Sequence, residues 1–341
     1  MMKMKKNLFA VLFLAIALAL TACTSSTSKN PDATPTVAPT LTPAVTSTTA
    51  PTEAPVNVLP TKDRAGNDIT IPDTIDKIVS LAPSTTQVLT ELGLQEKLVA
   101  VDTQSPLYAN GLDSLPQYDM LSLDTESIIA LDPDIIIATG MSIIGSDDPF
   151  QPLRDAGICV AVIPTSNSIQ DVEDDVLFIA DCFSKTQEGN AIVADMQKDI
   201  DEIATIGKTI SDKKTVMFEI SAAPSIYSFG SGVFLDEMLT LIGAENVFAS
   251  ENSWIPVTDE AAVAANPDVI LTSVNYIENP VDEILNRSGW ENVTAVKDKQ
   301  VYYIDNASSS LPNQNIVKAL KQMAKDIYPE QYAGITDPFA E

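Results

Sequence analysis

Two segments of the chain, 134 residues apart, share one pattern, and this repeat limits the folds open to the sequence. Residues 126–137 read Glu-Ser-Ile-Ile-Ala-Leu-Asp-Pro-Asp-Ile-Ile-Ile, and residues 260–271 read Glu-Ala-Ala-Val-Ala-Ala-Asn-Pro-Asp-Val-Ile-Leu. Each segment predicts a short helix, a proline turn and a buried strand. A repeat of this kind predicts two similar lobes in tandem, with a cleft between them.

Strands and helices alternate along both halves of the chain. Apolar runs at residues 78–81, 158–163 and 215–220 predict buried strands, and the segments between them have helical spacing. This alternation predicts an α/β fold of two similar lobes, each a mainly parallel sheet flanked by helices. Residues 185–210 predict one long helix of about 30 Å that joins the lobes as a rigid backbone and limits the closure of the cleft to a small hinge movement.

The N-terminus has the features of a secretory signal. Three lysines precede an apolar run at residues 8–20, and Leu-Thr-Ala-Cys ends at Cys23. The run is shorter than the roughly 20 residues of a membrane span, and small residues precede the cysteine, as in bacterial lipoprotein signals. We therefore expect residues 1–22 to be a signal peptide and Cys23 to carry a lipid on the extracytoplasmic side of the cell membrane. An ordinary signal peptide with an incidental cysteine is the alternative.

The segment that follows the signal differs in composition from the rest of the chain. Residues 23–60 are rich in Thr, Ser, Pro and Ala and hold almost no large apolar side chain. Such a segment cannot bury enough surface to offset its chain entropy, so we expect a disordered tether. The folded body then divides into an N-terminal lobe at 61–184, the linking helix at 185–210 and a C-terminal lobe at 211–341.

Composition excludes several classes of protein. The chain has no histidine, which excludes Ser-His-Asp and Cys-His catalytic systems and the usual histidine metal sites. We predict no catalytic residue and no metal site, and hence no enzyme. With 20 basic and 47 acidic side chains, the chain is also an improbable partner for nucleic acid. Cys159 and Cys182 could form a disulfide in an oxidising compartment, although two buried free thiols are favoured.

The cleft is expected to bind a small molecule. In parallel α/β sheets the ligand lies beyond the carboxyl ends of the strands. The loops predicted at that edge are rich in Ser, Thr, Asn, Tyr and Met, which indicates a neutral, hydrogen-bonding pocket with aromatic walls. The candidate ligand-binding residues are Ser84, Thr85, Tyr108, Met141, Tyr227, Phe229, Trp254 and Tyr276.

Glu126 and Glu260 begin the two repeated segments. Asp124 or Thr125 can cap the first helix and Thr258 the second, which places each glutamate in a first helical turn, where the helix dipole favours an anion. Each helix runs antiparallel to the strand that follows it, so its N-terminus lies on the cleft-bearing edge. One carboxylate of each lobe is therefore expected to flank the opening.

Several motifs in their order resemble a known family. They are Lys77-Ile-Val-Ser-Leu-Ala-Pro-Ser84, Leu92-Gly93, Leu131-Asp-Pro-Asp134, Gly243-Ala-Glu-Asn246, Trp254-Ile-Pro-Val-Thr-Asp-Glu260 and Asn266-Pro-Asp268. Together they resemble the iron-siderophore and cobalamin family of periplasmic substrate-binding proteins of ABC importers, of the type with a helical backbone. The resemblance implies a two-lobed receptor that delivers a chelate to a permease. It also implies that Glu126 and Glu260 are the glutamates that form salt bridges with arginines of the permease.

The same resemblance bears on the ligand. Members that bind anionic catecholate siderophores offer several arginines in the cleft, whereas this chain has only Arg64, Arg154 and Arg287, none of them in the predicted cleft loops. We therefore expect a corrinoid such as cobalamin, or a ferric hydroxamate siderophore of low charge, and no intrinsic cofactor. Haem coordinated by a tyrosine is the alternative ligand that the sequence leaves open. The protein is expected to be a monomer, and a surface ligand sensor of the same fold is the alternative function.

Overall fold

Residues 58–145 and 147–339 are described by the computed structural model of the chain. The predicted signal peptide, Cys23 and the predicted tether as far as residue 57 lie outside these residues. Within the described part, no helix is both long enough and apolar enough to cross a membrane.

The N lobe is built on a five-stranded parallel sheet with the strand order β3-β2-β1-β4-β5. Its central strands are runs of β-branched residues, and Ile135, Ile136 and Ile137 are all fully buried, as expected for a strand covered on both faces. The strands are β1 (Ile78–Ser80), β2 (Leu98–Asp102), β3 (Gln117–Tyr118), β4 (Ile135–Thr139) and β5 (Cys159–Ile163). The helices are α1 (Pro83–Glu91), α2 (Ser105–Tyr108), α3 (Thr125–Ala130), α4 (Gln151–Asp155) and α5 (Ile169–Cys182).

A single helix, α6 (Thr186–Gly207), separates this lobe from the C lobe. The C lobe has a four-stranded parallel sheet with the order β11-β10-β6-β8 and a separate antiparallel pair, β7 with β9. Its strands are β6 (Thr215–Glu219), β7 (Tyr227–Phe229), β8 (Glu245–Asn246), β9 (Trp254–Pro256), β10 (Val269–Thr272) and β11 (Val301–Tyr303). Its helices are α7 (Phe234–Ile242), α8 (Asp259–Ala265), α9 (Pro280–Leu285), α10 (Thr294–Lys297), α11 (Asn306–Ser310) and α12 (Ile316–Ile327).

Helix α6 packs against both lobes. Its 22 residues span about 33 Å, and it contacts α5 in the N lobe and both α7 and α12 in the C lobe. Two glycines allow close approach. A Cβ atom at Gly189 would overlap the side chain of Ala180, and one at Gly207 would overlap the carbonyl oxygen of Leu241. The connector is therefore in direct contact with the helices of each lobe.

The repeated segments occupy equivalent places in the two lobes. The side chain of Asp124 accepts a hydrogen bond from the backbone N–H of Ser127, and that of Thr258 accepts one from Ala261, so both predicted caps are confirmed. The aspartate after each proline accepts a hydrogen bond from a residue in, or immediately before, the first strand of its lobe. Oδ2 of Asp134 accepts from the backbone N–H of Lys77 (2.8 Å), and Oδ2 of Asp268 accepts from that of Thr215 (2.8 Å). Each turn thus fixes its helix and strand to the first strand of its lobe.

The two-lobed α/β architecture with mainly parallel sheets agrees with the predicted fold class, but two local predictions were wrong. The polar turn at residues 63–68 followed by the apolar residues 69–71 predicts an edge strand, but the structure has only an isolated bridge between Lys62 and Asp68 there. The sequence around Tyr227 and around Trp254 has no strand pattern and predicts loops, but these segments form strands β7 and β9. Each strand is three residues long and depends on the other for its pairing, so neither segment has a strong pattern of its own.

Candidate functional site

A cavity of about 460 Å³ lies between the lobes, at the carboxyl ends of the strands of the N-lobe sheet. The N lobe contributes the start of α1, the loops after β3, β4 and β5, and one face of α5. The C lobe contributes Phe234, Trp254 and the segment from Ser310 to Pro312. The cavity is therefore at the edge where the topology predicts a ligand.

A buried chain of hydroxyl groups supports the N-lobe wall. Thr85 lines the cavity, and its hydroxyl oxygen lies 2.9 Å from the hydroxyl oxygen of Ser80. The hydroxyl of Thr86 also donates a hydrogen bond to that of Ser80 (2.8 Å). The hydroxyl of Ser105 donates to the carboxylate of Asp102, and its oxygen lies 2.7 Å from that of Thr86. Burial raises the pKa of Asp102, against hydrogen bonds from Ser105 and Gln104 that lower it. This network fixes the N-terminus of α1, and with it Ser84 and Thr85, at the cavity.

The aromatic wall is formed by Trp254. Its ring meets Phe229 at a centroid distance of 6.0 Å and Phe234 at 6.5 Å, both edge to face. Phe229 is fully buried behind Trp254 and packs on Phe218, so the prediction that Phe229 itself lines the pocket is corrected. Its role is to hold the indole of Trp254, which is 38% exposed and lines the cavity.

The structure brings four of the eight predicted ligand residues together. Ser84, Thr85, Met141 and Trp254 all line the cavity. The three tyrosines do not line it. The hydroxyl of Tyr108 donates to Oδ1 of Asn306 (3.1 Å), that of Tyr276 accepts from the backbone N–H of Ala222 (2.8 Å), and Tyr227 is partly exposed on strand β7.

Asp175 is a lining residue that the sequence analysis missed. Its side chain is buried, with Oδ1 accepting from Nε of Arg64 (2.7 Å) and Oδ2 from the hydroxyl of Ser166 (2.9 Å). Burial raises the pKa of Asp175, and the hydrogen bonds from Arg64 and Ser166 oppose this. Asp175 lies on α5, whose helical pattern was recognised, but nothing in that pattern indicates which turn of the helix faces the cleft.

Within the described part of the chain, no basic side chain lines the cavity, although Arg64 contacts the lining residue Asp175 from behind. Arg64 is shared among Asp175, Asp174 (3.4 Å) and Asp171 (3.9 Å), Arg154 pairs with Asp148, and Arg287 pairs with the buried Glu219 (2.7 Å) and with Glu283. All three arginines are thus held in ion pairs, and the cavity is bounded by hydroxyl, aliphatic, thioether, aromatic and carboxylate groups.

The thiols and acidic groups that the structure describes form no metal centre. Cys159 and Cys182 are free, and burial raises the pKa of the Cys159 thiol to about 11 and raises that of Cys182 as well. Across residues 58–145 and 147–339, no group of three or more Cys, Asp or Glu side chains is placed to hold a metal ion.

Glu126 and Glu260 lie in the first turns of α3 and α8 and are both exposed. Each belongs to a helix that precedes a strand of its lobe's sheet, β4 or β10, and that ends at the proline turn before it. The two carboxylates therefore present one negative charge from each lobe to solvent.

Residues 78–307 match the sequence model of the family described as periplasmic binding protein. The chain belongs to this family. It is 32% identical over 272 residues to an uncharacterized ABC transporter substrate-binding lipoprotein, YvrC, of Bacillus subtilis, an alignment that covers 79% of this chain and 85% of that protein. This membership confirms the predicted resemblance, and the chain is a substrate-binding protein of the ABC importer type rather than an enzyme.

Two further relatives are named for their ligands. The molybdate-binding protein MolA of Haemophilus influenzae is 26% identical, with 80% of this chain and 86% of that protein covered. A vitamin B12-binding protein of Vibrio campbellii is 24% identical, with 73% and 88% covered. A solved structure of MolA with molybdate has a TM-score of 0.70 at 23% identity, covering 80% of this chain and 92% of that one, which shows the shared two-lobed fold.

Proposed function

We propose that this protein is a lipid-anchored, extracytoplasmic receptor that captures a metal chelate of low charge in the cavity and delivers it to an ABC importer. The chelate is a corrinoid such as cobalamin or a ferric hydroxamate siderophore. The observation that carries the proposal is the lining of the cavity, which combines hydroxyl groups and an aromatic wall with no basic side chain.

Charge is the main argument for the class of ligand. An anionic chelate loses hydration on entering a cleft and needs a cationic partner there. Here the only charged lining residue is Asp175, and its partner Arg64 is shared with two further aspartates. A neutral or cationic chelate avoids this cost. Molybdate, which one relative is named for binding, would meet no basic side chain in this cavity.

The chemistry of the wall fits the same class of ligand. Pockets for small molecules span about 300–1,000 Å³ and combine apolar surface with a few polar groups that fix orientation. Trp254 and Met141 offer polarisable surface to the rim of a large ring or chelate, while Ser84 and Thr85 offer hydroxyl groups to amide or hydroxamate oxygens. The name of the relative from Vibrio campbellii supports the corrinoid, and the absence of histidine weighs against haem.

Calorimetric titration of cavity variants tests where the chelate binds. We expect cyanocobalamin or ferrioxamine B to bind the wild-type protein, and Trp254→Ala to weaken that binding by about tenfold or more, because a buried aromatic contact is lost. Phe339→Ala is the matched control, since Phe339 is exposed to a similar extent (40% against 38%) but does not line the cavity. Equal affinities for the two variants would place the ligand elsewhere.

The anchor and the docking residues complete the proposal. The pattern before Cys23 and the word lipoprotein in the name of the Bacillus subtilis relative support a lipid at that cysteine. Glu126 and Glu260 are proposed as the docking points because they are exposed at equivalent places in the two lobes. Replacement of Cys23 by Ala should move the protein from the membrane fraction to the soluble fraction, and retention in the membrane would refute the anchor.

A further inference from the structure

One flank of the cleft is closed by neutral amide side chains that join the two lobes. On the N lobe they are carried by α1 and α2, and on the C lobe by the segment from Asn306 to Asn315. This segment contains α11 and the three residues Ser310, Leu311 and Pro312 that line the cavity. The joining side chains, here termed the amide clasp, are Gln87, Tyr108, Asn306, Asn313, Gln314 and Asn315.

Gln87 is the centre of the amide clasp. Its Oε1 accepts from Nδ2 of Asn313 (2.6 Å) and, at longer range, from Nδ2 of Asn315 (3.4 Å). Its Nε2 donates to the backbone carbonyl of Tyr108 (3.0 Å), within its own lobe. Its backbone carbonyl accepts from Nε2 of Gln314 (3.4 Å). One side chain thus connects α1, the end of α2 and the C lobe.

A second bond reinforces the same flank. The hydroxyl of Tyr108 donates to Oδ1 of Asn306 (3.1 Å), and Nδ2 of Asn306 donates to the carbonyl of Ser273 (2.8 Å), which lies just after strand β10. Asn313 is fully buried, so breaking its bond to Gln87 would leave a buried amide unpaired. The amide groups of Gln87, Asn306 and Asn313 carry no titratable proton, so they hold these bonds as neutral donors and acceptors.

The opposite flank is different. Met141, in the turn after β4, is 60% exposed, and Trp254 on β9 is 38% exposed, although both line the cavity. Among the residues that the structure describes, no hydrogen bond joins the N-lobe residues 140–166 to the C lobe. The remaining interlobe bond of this region, from the backbone N–H of Ile169 to Oε2 of Glu237 (2.8 Å), lies at the start of α5.

We propose that Gln87 is a positioning residue that keeps the clasp flank closed throughout ligand binding, so that the chelate enters and leaves between Met141 and Trp254. Gln87 follows Ser84 and Thr85 on α1 by less than one turn, and its partners follow Ser310 to Pro312 directly. The clasp therefore fixes the separation of two lining segments from different lobes. The part of the inference that concerns ligand entry rests on the proposed function.

The test compares three variants by hydrogen exchange and by binding. Gln87→Met keeps the length of the side chain but removes the hydrogen bonds that the side chain makes. Tyr108→Phe removes only the hydroxyl bond to Asn306. Gln95→Ala is the matched control, because Nε2 of Gln95 donates to the carbonyl of Asn110 (2.9 Å) entirely within the N lobe.

Without ligand, we expect Gln87→Met to speed amide exchange of residues 313–316, in the opposite lobe, by about tenfold, since the loss of one buried hydrogen bond corresponds to such a factor. Tyr108→Phe should speed exchange of residues 306–310, and Gln95→Ala should change neither segment. Unchanged exchange at 313–316 in Gln87→Met would overturn the positioning role, whether or not any chelate binds.

With cyanocobalamin or ferrioxamine B, wild-type exchange at 313–316 should stay within about twofold of its ligand-free value, because the clasp is closed in both states. Gln87→Met should raise the dissociation constant about tenfold, mainly through faster dissociation. Strong protection of 313–316 on binding would show that the clasp opens and would refute the entry route. Absence of binding to the wild type would refute the proposed function alone.

Discussion

At the scale of single residues, the aspartate of each proline turn has the clearest structural role. Asp134 accepts from the backbone N–H groups of Asp76 (2.7 Å) and Lys77 (2.8 Å), and Asp268 accepts from the N–H and the hydroxyl of Thr215 (2.8 Å each). The hydrogen bonds to Asp76 and Lys77 lower the pKa of Asp134. The Asp-Pro-Asp and Asn-Pro-Asp turns thus connect each repeated segment to the first strand of its lobe.

Replacement of Asp134 by Ala should therefore lower the free energy of unfolding by about 1–3 kcal/mol, because two backbone donors lose a charged acceptor. The pKa of Asp134 is lower in the folded state, so its contribution is present at neutral pH and is lost as the pH falls through the folded-state pKa. Urea denaturation at pH 7 measures the difference. The exposed Asp73→Ala is the control, and equal midpoints for the two variants would contradict this role.

Asp326 on α12 has the opposite effect on the pH dependence of stability. Burial, with a smaller effect of Asp337, raises its pKa to about 7, and nearby Lys325 only partly opposes this. The folded state therefore binds the proton more tightly than the unfolded chain does. Between about pH 4 and pH 7 the free energy of unfolding should fall as the pH rises.

We expect Asp326→Asn to remove this part of the pH dependence and to raise the free energy of unfolding at pH 8 by about 2 kcal/mol, allowing for the partial exposure of the side chain. Thermal or urea denaturation from pH 4 to pH 8 measures it. Asp195→Asn, at an exposed position of α6, should leave the pH profile unchanged. A wild-type profile that rises toward pH 8 and is not altered by Asp326→Asn would be inconsistent with this assignment.

At the scale of elements, the sequence predicts the helices and strands whose apolar spacing and end signals lie within the element itself. Helices α7 and α12 occur where their apolar spacing and end signals place them, with Gly243 in the left-handed conformation after α7. Strands β7 and β9 were missed because each is stabilised by pairing with a segment 25 to 29 residues away, as in the pairs of Tyr227 with Pro256 and Phe229 with Trp254. Their position also decides which aromatic ring faces the cavity, so the error for Phe229 follows from the same cause.

Helix α6 depends on close contacts that its hydrophobic pattern does not reveal. We expect Gly207→Ala to lower the free energy of unfolding by about 2 kcal/mol or more, despite the better helix propensity of alanine, because the added methyl group overlaps the carbonyl of Leu241. The control is Asn190→Ala on the exposed side of α6, which should be neutral or slightly stabilising. A stabilising Gly207→Ala would show that α6 does not pack on α7 as described.

At the scale of the whole molecule, the repeat and the order of motifs were enough to predict two lobes and a cleft. They could not predict the chemistry of the cleft in full. Several lining residues come from elements whose relative placement depends on how the lobes pack. They are Asp175 on a face of α5, Met120 in the loop after β3, Phe234 at the start of α7 and Ser310 at the end of α11. The amide clasp, too, joins residues more than 190 positions apart, and single Gln and Asn residues have no local signal.

Delivery to the importer is also a property of the whole molecule. The double variant Glu126→Gln, Glu260→Gln should bind ligand as the wild type does and should lose most of the uptake in cells, because both charges that we propose as docking points for the permease are removed. The control is Glu202→Gln with Glu330→Gln, which changes the net charge equally at exposed positions outside the two repeated helices. Normal uptake by the first variant would refute docking through these glutamates.

The central claim is that the cavity selects a chelate of low charge, and a competition experiment tests it most directly. The purified protein is incubated with an equimolar mixture of cyanocobalamin, ferrioxamine B, a ferric catecholate and molybdate, then separated from free ligand, and the retained metal and absorption spectrum are measured. We predict that one corrinoid or one ferric hydroxamate is retained per protein molecule, with no molybdenum and no catecholate. Retention of only the catecholate or molybdate, or of nothing, would contradict the account.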